Sequence, residues 1–565
     1  MLQLVELLAS PARTRTARLD PKRKAAELER CAAELPERKH KLGSKDDGPR
    51  SLEELFSWPF DCVSLLCDGI PQAAALAHFF GVGIDLVSHY SGWGTDHWAL
   101  HCLVEALRVR GVPAKLTSSH SSDSAWICRE ALLYAAPPLR SDHVFGAFED
   151  RFPPDLIAAL QSLQSVPATR KSPKTVAERC VDMAALVDEA MSRDALLSEK
   201  TRARCWAHDR SQRSSRLCPV FDATPKCKGG ESESERAFTL AVAGNSCVDT
   251  SSVGSKAGLG GDSFLPLLLW MAEMLHRAPD FILNECTQLW KVEYLLYFLG
   301  RRYLLLFTSV ISPEDIGWPC RKARRYSVLM RKDLTEKYTF TGSPEHFFLL
   351  MGKDVLVPGD ILLGASEEQI EHHKSMLARR RKNFRDDAAQ YQLEELLTPC
   401  QMQRVQEYEA MRIDNRPFIS DIGQNPKGGS SIPGQCWPSP LTTSMMFSNS
   451  AGRPATREEI ISSMGLPAVA GAVVEKNDTM LRFPLQALLD REDVQHSHWV
   501  KMTGNSMHAA VLGTTVAYVL AHVQALETQV AAHPEEPSRS SSASDAASST
   551  ATAKLHRRGM TTEFH

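Results

Sequence analysis

The chain has 565 residues, 43% of them apolar and 24% charged, a balance that excludes a wholly disordered or fibrous protein and a length that allows more than one compact unit. A formal charge of −3 at pH 7 excludes a general pull toward nucleic acid, so any phosphate-binding surface has to be a local patch. The 14 cysteines follow no regular framework, which suits reduced thiols. The apolar run Phe264–Met274 is too short to span a bilayer, and the charged N-terminus lacks the features of a signal peptide, so an intracellular location is expected.

In chain order, residues 1–50 read as a charged helix and a polar linker that cannot build a core alone. From about Gly81 short apolar runs alternate with helical segments. Gly83–Tyr90, Phe238–Gly244, Phe281–Glu285 and Tyr303–Ser309 have strand character, and Thr95–Arg108 and Ser263–Arg277 have helical character. The alternation predicts an α/β fold with a doubly wound, mostly parallel sheet over residues 51–332. About 151–228 is rich in Arg, Ser and Lys and reads as an insertion with helical pieces and no strand. Residues 333–449 carry long charged helices and a Gly/Pro/Ser loop, which suggests a second, smaller domain; 450–530 returns to the first, and 531–565 is a Ser/Ala/Thr tail that need not fold.

Two positions carry chemistry. Cys247 follows the apolar run Phe238–Gly244 in a loop of small and polar residues, where backbone donors favour a thiolate. Glu285 ends the next strand, at the rim where parallel sheets bind ligands, and burial there would keep it protonated.

With these residues the chain resembles the cytosine-C5 methyltransferase family, in a divergent eukaryotic-type form, through motifs in the family's order from about Ile84 to Val519. Tyr90-Ser-Gly-Trp-Gly94 resembles the Phe-x-Gly-x-Gly turn that approaches the cofactor, and Cys247 to Gly254 is similar to the nucleophile loop, with Ser251 and Gly254 in register. Glu285 matches the glutamate of the Glu-Asn-Val motif, and Gly317-Trp-Pro-Cys-Arg-Lys-Ala-Arg-Arg-Tyr326 resembles Gly-x-Pro-Gln-x-Arg-x-Arg-x-Phe. Arg453-Pro-Ala-Thr-Arg-Glu-Glu459 with Met464-Gly-Leu-Pro467 is similar to the motif that supports target recognition, and Gly504-Asn-Ser-Met507 resembles the final Gly-Asn motif.

The resemblance implies a Rossmann-like class I S-adenosylmethionine-dependent methyltransferase fold with a smaller target-recognition domain. It implies a nuclear enzyme, a DNA (cytosine-5-)-methyltransferase that flips its target base. Cys247 would be the nucleophile, with Glu285, Arg324 and Lys322 assisting. Tyr90, Ser91, Gly92, Trp93, Gly94, Asp123, Asn505 and Ser506 would hold S-adenosylmethionine. Ser251, Arg321, Lys374, Arg379, Arg380 and Arg381 would meet DNA, the last four in the basic run Lys374–Arg385.

Departures from the pattern bear on activity. Ser246 replaces the proline before the nucleophile, Cys286 and Thr287 follow the glutamate, and Cys320 and Lys322 stand for the glutamine and first arginine. Lysine cannot copy a bidentate guanidinium contact. Two alternatives therefore accompany the main reading: a catalytically impaired DNA-binding protein on the same fold, and a tRNA cytosine-C5 methyltransferase. Cys205, His208, Cys218 and Cys227 have zinc-ligand types, but their spacing fits no standard finger, and no metal is expected.

Overall fold

The computed structural model describes residues 48–526 apart from 136–138, 165–175, 193–201, 210–213, 220–235, 246–248, 250–259, 382–390, 412–417, 427–435, 473, 477–478 and 492. Nine strands form its main sheet: β1 (Ile84–His89), β2 (Leu116–Ser122), β3 (His143–Phe145), β4 (Arg202–Asp209), β5 (Ser214–Pro219), β6 (Phe238–Gly244), β7 (Phe281–Thr287), β8 (Tyr303–Ile311) and β9 (Arg324–Arg331). Their order is β5-β4-β3-β2-β1-β6-β7-β9-β8. β3, β2, β1, β6 and β7 are parallel neighbours, while β9 runs antiparallel between β7 and β8. This is the doubly wound, Rossmann-like fold expected of a class I methyltransferase, with the chain reversing outward from β1 and β6.

The central strands have both faces covered, so they read as nearly continuous apolar runs. All six residues of β1 and all seven of β7 are buried. Alternation divides them between two layers: Leu86, Val242 and Leu283 join one apolar cluster, and Val87, Ala243 and Ile282 join the other. On the first face pack α1 (Trp58–Cys67), α2 (Ile70–Val82), α3 (Thr95–Val109) and the late helix α8 (Ala509–Ala521). Every residue of α8 is buried, as suits a helix apolar on all sides. On the second face lie α4 (Val176–Ser192) and α5 (Phe264–Arg277).

Observed bounds follow the predicted ones closely for β1, β6, β7, β8, α3 and α5. One expectation is overturned: the segment read as an insertion without strands contains β4 and β5, an antiparallel hairpin that extends the main sheet beyond β3. β2 is a further strand beyond the expected ones. Its sequence, Leu-Thr-Ser-Ser-His-Ser-Ser, looks like a loop, yet Ser118, Ser121 and Ser122 are buried. Their hydroxyls are satisfied in a polar network: His97 Nε2 lies 2.8 Å from Ser118 Oγ and 3.0 Å from both Ser121 Oγ and Ser141 Oγ.

A separate apolar cluster that includes Leu377, Tyr408, Phe418, Ile422 and Phe447 joins α6 (Glu367–Arg380) and α7 (Pro399–Ala410) to a small sheet of Ile419–Asp421, Met446–Ser448 and Arg453–Pro454. Phe347, Met351 and Leu362 instead bury into the larger core. No helix among the described residues is long and apolar enough to cross a membrane.

Candidate active site

The parallel strands end on one rim. After β1 the backbone turns sharply through Tyr90 (φ 52°), Gly92 (φ 55°) and Gly94 (φ 82°) before α3 begins. Tyr90 is the costly member, since a left-handed conformation costs a non-glycine residue about 1–2 kcal/mol. Ser91 fixes the turn: its N–H and its hydroxyl donate to Ser122 O at 3.0 and 3.2 Å, and its Oγ accepts from the Ser122 N–H at 3.1 Å. A Cβ built on Gly92 would meet nothing within 4 Å, so the turn faces open space there. Trp93 is buried and packs against Trp499, ring centroids 6.2 Å apart.

Asp123 follows β2. Its Oδ2 accepts the Gly92 N–H at 2.9 Å and its Oδ1 the Ala125 N–H at 2.8 Å. Burial pushes its carboxyl upward and these two amide bonds push it down. Its first task is therefore to hold the glycine turn. A cavity of about 620 Å³ opens beside it, lined by Ser124, Ala147 and Asp150 and by Arg204, Trp206 and Leu217 of the β4–β5 hairpin.

Glu285 lies near the rim end of β7, paired in register with Gly244, the last residue of β6. It is 5% exposed. Its Oε1 stands 3.2 Å from Arg324 Nε, an arginine that opens β9 on the same rim because β9 runs antiparallel to β7. Burial raises the Glu285 carboxyl above the ordinary carboxylate range, with Arg324 and Lys322 offsetting part of the rise. The Asn245 N–H donates to Glu285 O at 3.2 Å. The amides of Asn245 and Asn284 are buried, with no hydrogen-bond partner for their side chains among the described residues. Cys247 and Ser251 lie outside the described residues.

Lys322 is buried, and its Nζ donates to Thr503 O at 2.9 Å and Gly504 O at 3.1 Å, the carbonyls that close the helix His496–Asn505; the short helix Arg457–Ser462 precedes it. A cation there suits the negative end of a helix. Asn505 is exposed, and the buried Ser506 hydroxyl donates to Thr503 O at 3.1 Å. Just before the helix Arg457–Ser462, Arg453 donates to both oxygens of Glu459 at 2.9 and 2.7 Å, while Thr456 and Glu459 form a capping box. The spacing of that motif thus has a structural cause.

The expected DNA-facing cations are dispersed. Arg321 Nε sits 3.2 Å from Glu314 Oε2 at the surface. Lys374 and Arg381 are half-buried, whereas Arg379 and Arg380 are exposed in the last turn of α6, where they also complement the helix dipole. A buried ionic group escaped the sequence reading altogether. Glu273 of α5 binds Arg151 Nη1 at 2.9 Å and Arg277 Nε at 2.7 Å, with Arg151 and Glu273 fully buried. Arg277 stands at the i+4 spacing that can be read from sequence; Arg151 is 122 positions away and cannot.

No protein-family model matches the chain, and no curated protein matches it. Among solved structures it is similar to the S. pombe Dnmt2 methyltransferase, at 12% identity and a TM-score of 0.34 over 78% of this chain and 98% of that one. The Entamoeba histolytica methyltransferase EhMeth gives 11% and 0.35 over 77% and 98%, and a Spodoptera frugiperda DNMT2 mutant gives 10% and 0.30 over 77% and 99%. These values describe a distant likeness.

Proposed function

We propose that the protein is an S-adenosylmethionine-dependent cytosine-C5 methyltransferase acting on DNA in the nucleus, with Cys247 as nucleophile. The observation that carries this reading is the buried Glu285 carboxyl, its pKa raised, paired with Arg324 and held in register with the strand end that leads into Cys247. That is the environment a carboxylic acid needs to donate a proton at neutral pH.

The turn fits the cofactor: Gly92 presents a Cβ-free face to open space, and the Asn245 amide has unmet hydrogen-bonding capacity beside it along the rim. Tyr90 to Gly94 would hold it, with Ser506 and Asn505 as further contacts and Asp123 fixing the turn. S-adenosylmethionine, when bound, supplies an electrophilic methyl group. The thiolate of Cys247 adds to C6 of a flipped cytosine, forming an S–C6 bond; the displaced electron pair moves toward N3, where Glu285 donates a proton or a strong hydrogen bond. Arg324 orients that carboxyl. C5 would then take the methyl carbon as its bond to the sulfonium sulfur breaks, leaving a neutral thioether; loss of the C5 proton to solvent expels the Cys247 thiolate, returns the N3 proton to Glu285 and restores the ring. Arg379 and Arg380 supply phosphate contacts that offset the few kcal/mol lost on unstacking the base.

Trapping on 5-fluorocytosine oligonucleotides tests this: a covalent adduct with DNA that disappears in Cys247→Ser is expected. Adduct with RNA alone would transfer the activity to tRNA, and no adduct with either would refute it. Lys322 favours a second reading, an impaired DNA-binding relative, because its ammonium is occupied by backbone carbonyls. Absence of S-adenosylmethionine binding by calorimetry would select that alternative.

A further inference from the structure

We propose that His143, Cys205 and Cys218 form a metal site of the chemistry zinc prefers, tying the β4–β5 hairpin to the edge of the main sheet. The proposal is independent of the methyl-transfer reading. The sheet register puts the three side chains on one face. Phe145 pairs with Cys205, so His143, two residues before Phe145, shares the Cys205 face. Ala203 pairs with Cys218, so Cys218 is the diagonal neighbour of Cys205 on that face. The three ligand atoms all lie within 4.8 Å of one another, and Cys205 Sγ is 3.7 Å from His143 Nδ1.

A tetrahedral zinc ion, with bonds of about 2.3 Å to sulfur and about 2.0 Å to nitrogen, needs sulfur and nitrogen about 3.5 Å apart. One thiol–imidazole hydrogen bond accounts for a single contact but not for a second cysteine converging on the same point. Neither cysteine forms a disulfide, and both are buried. Two thiolates and an imidazole are the donor set that favours zinc over magnesium or calcium, and binding would release the two thiol protons to solvent.

The tie has mechanical sense. β3 and β4 share one registered pair, Phe145 with Cys205, so the ladder alone holds the hairpin weakly. The hairpin supplies Ala203, Arg204, Trp206 and Leu217 to the cavity beside the glycine turn. Trp206 also receives the Arg129 guanidinium 4.5 Å from its ring centre, and Arg129 Nη1 donates to Asp123 O at 3.0 Å. A fixed hairpin therefore fixes that wall.

The test is elemental analysis of the full chain, purified without chelator, together with cobalt substitution. The expected result is one zinc per chain, exchangeable for cobalt with the charge-transfer bands of thiolate ligation. Cys205→Ser and Cys218→Ser should each weaken cobalt binding by about 10-fold or more. Because a variant could misfold, the cobalt spectrum of the unmodified protein is decisive by itself. Metal-free protein showing no thiolate–cobalt band, a Cys205–Cys218 disulfide in the mass spectrum, or zinc retained by the Cys205→Ser/Cys218→Ser double variant would each overturn the proposal.

Discussion

Replacing Glu273 by Gln removes a charge that two guanidiniums enclose in the interior. Burial by itself would raise the Glu273 carboxyl, but Arg151 and Arg277 outweigh it and hold the pKa at about 2 against an ordinary 4.5. Holding it there is worth about 3 kcal/mol at neutral pH, at roughly 1.4 kcal/mol for each factor of ten in proton affinity. The direct route gives a similar figure. Glu273→Gln leaves Arg151, which is fully buried, without its counter-ion, and breaking a buried pair in this way costs about 3–5 kcal/mol. Both routes exceed the roughly 0–1 kcal/mol of a surface pair.

The expected outcome is a fall in the urea-unfolding free energy of about 3 kcal/mol and a melting temperature lower by about 3 °C. Because the folded pKa is depressed, the contribution is fully present above pH 4.5 and lost as pH falls toward 2. The difference between wild type and variant should shrink in that window. Substituting Met at both Arg151 and Glu273 should recover part of the loss. A Glu273→Gln protein within about 1 kcal/mol of wild type at pH 7.5 would refute the reasoning, since the arginines would then have found other partners.

Burial, with Lys322 adding to it, lowers His508 to about 3, and burial with Arg380 and Arg457 lowers His496 to about 4. Their folded pKa values lie below the ordinary 6.5, so the neutral form is stabilised and stability declines as pH falls below 6.5; each should cost about 1 kcal/mol by pH 5.5, read from urea midpoints. In α8 a Cβ on Gly513 would run into the Trp58 ring at Cη2. Gly513→Ala should therefore destabilise by about 1–3 kcal/mol through overpacking, in spite of a gain of about 1 kcal/mol in helix propensity, and unchanged thermal unfolding would show that Trp58 yields freely. At the rim, Gly92→Val fills the open face of the turn and should weaken S-adenosylmethionine binding by about tenfold or more in calorimetry, a cost of about 1.4 kcal/mol. The methylation rate should fall as pH rises through the raised pKa of Glu285, because the acid form is consumed; a rate that rises throughout would exclude Glu285 as the proton donor.

What the sequence determined by itself is whatever depends on near neighbours. β1, β6 and β7 are legible because strands covered on both faces must be apolar almost throughout. The turn after β1 is legible because Gly92 and Gly94 adopt positive φ, where side chains are strained. Glu285 at its strand end, the capping box of Thr456 and Glu459, and the periodicity of α3 and α5 are local in the same sense. Tertiary structure alone decided the rest. β2 is polar because Ser118 and Ser121 are satisfied by His97 and Ser141 from elsewhere in the chain, and no local rule separates such a strand from a loop. β4 and β5 complete the sheet edge through pairing with β3, and that same pairing brings His143 to Cys205, 62 positions away. Arg151 and Glu273, 122 positions apart, meet only in the folded chain. A buried charge or a ligand set assembled from distant strands has no periodicity to betray it, since its members are selected by proximity in the fold rather than by spacing along the chain.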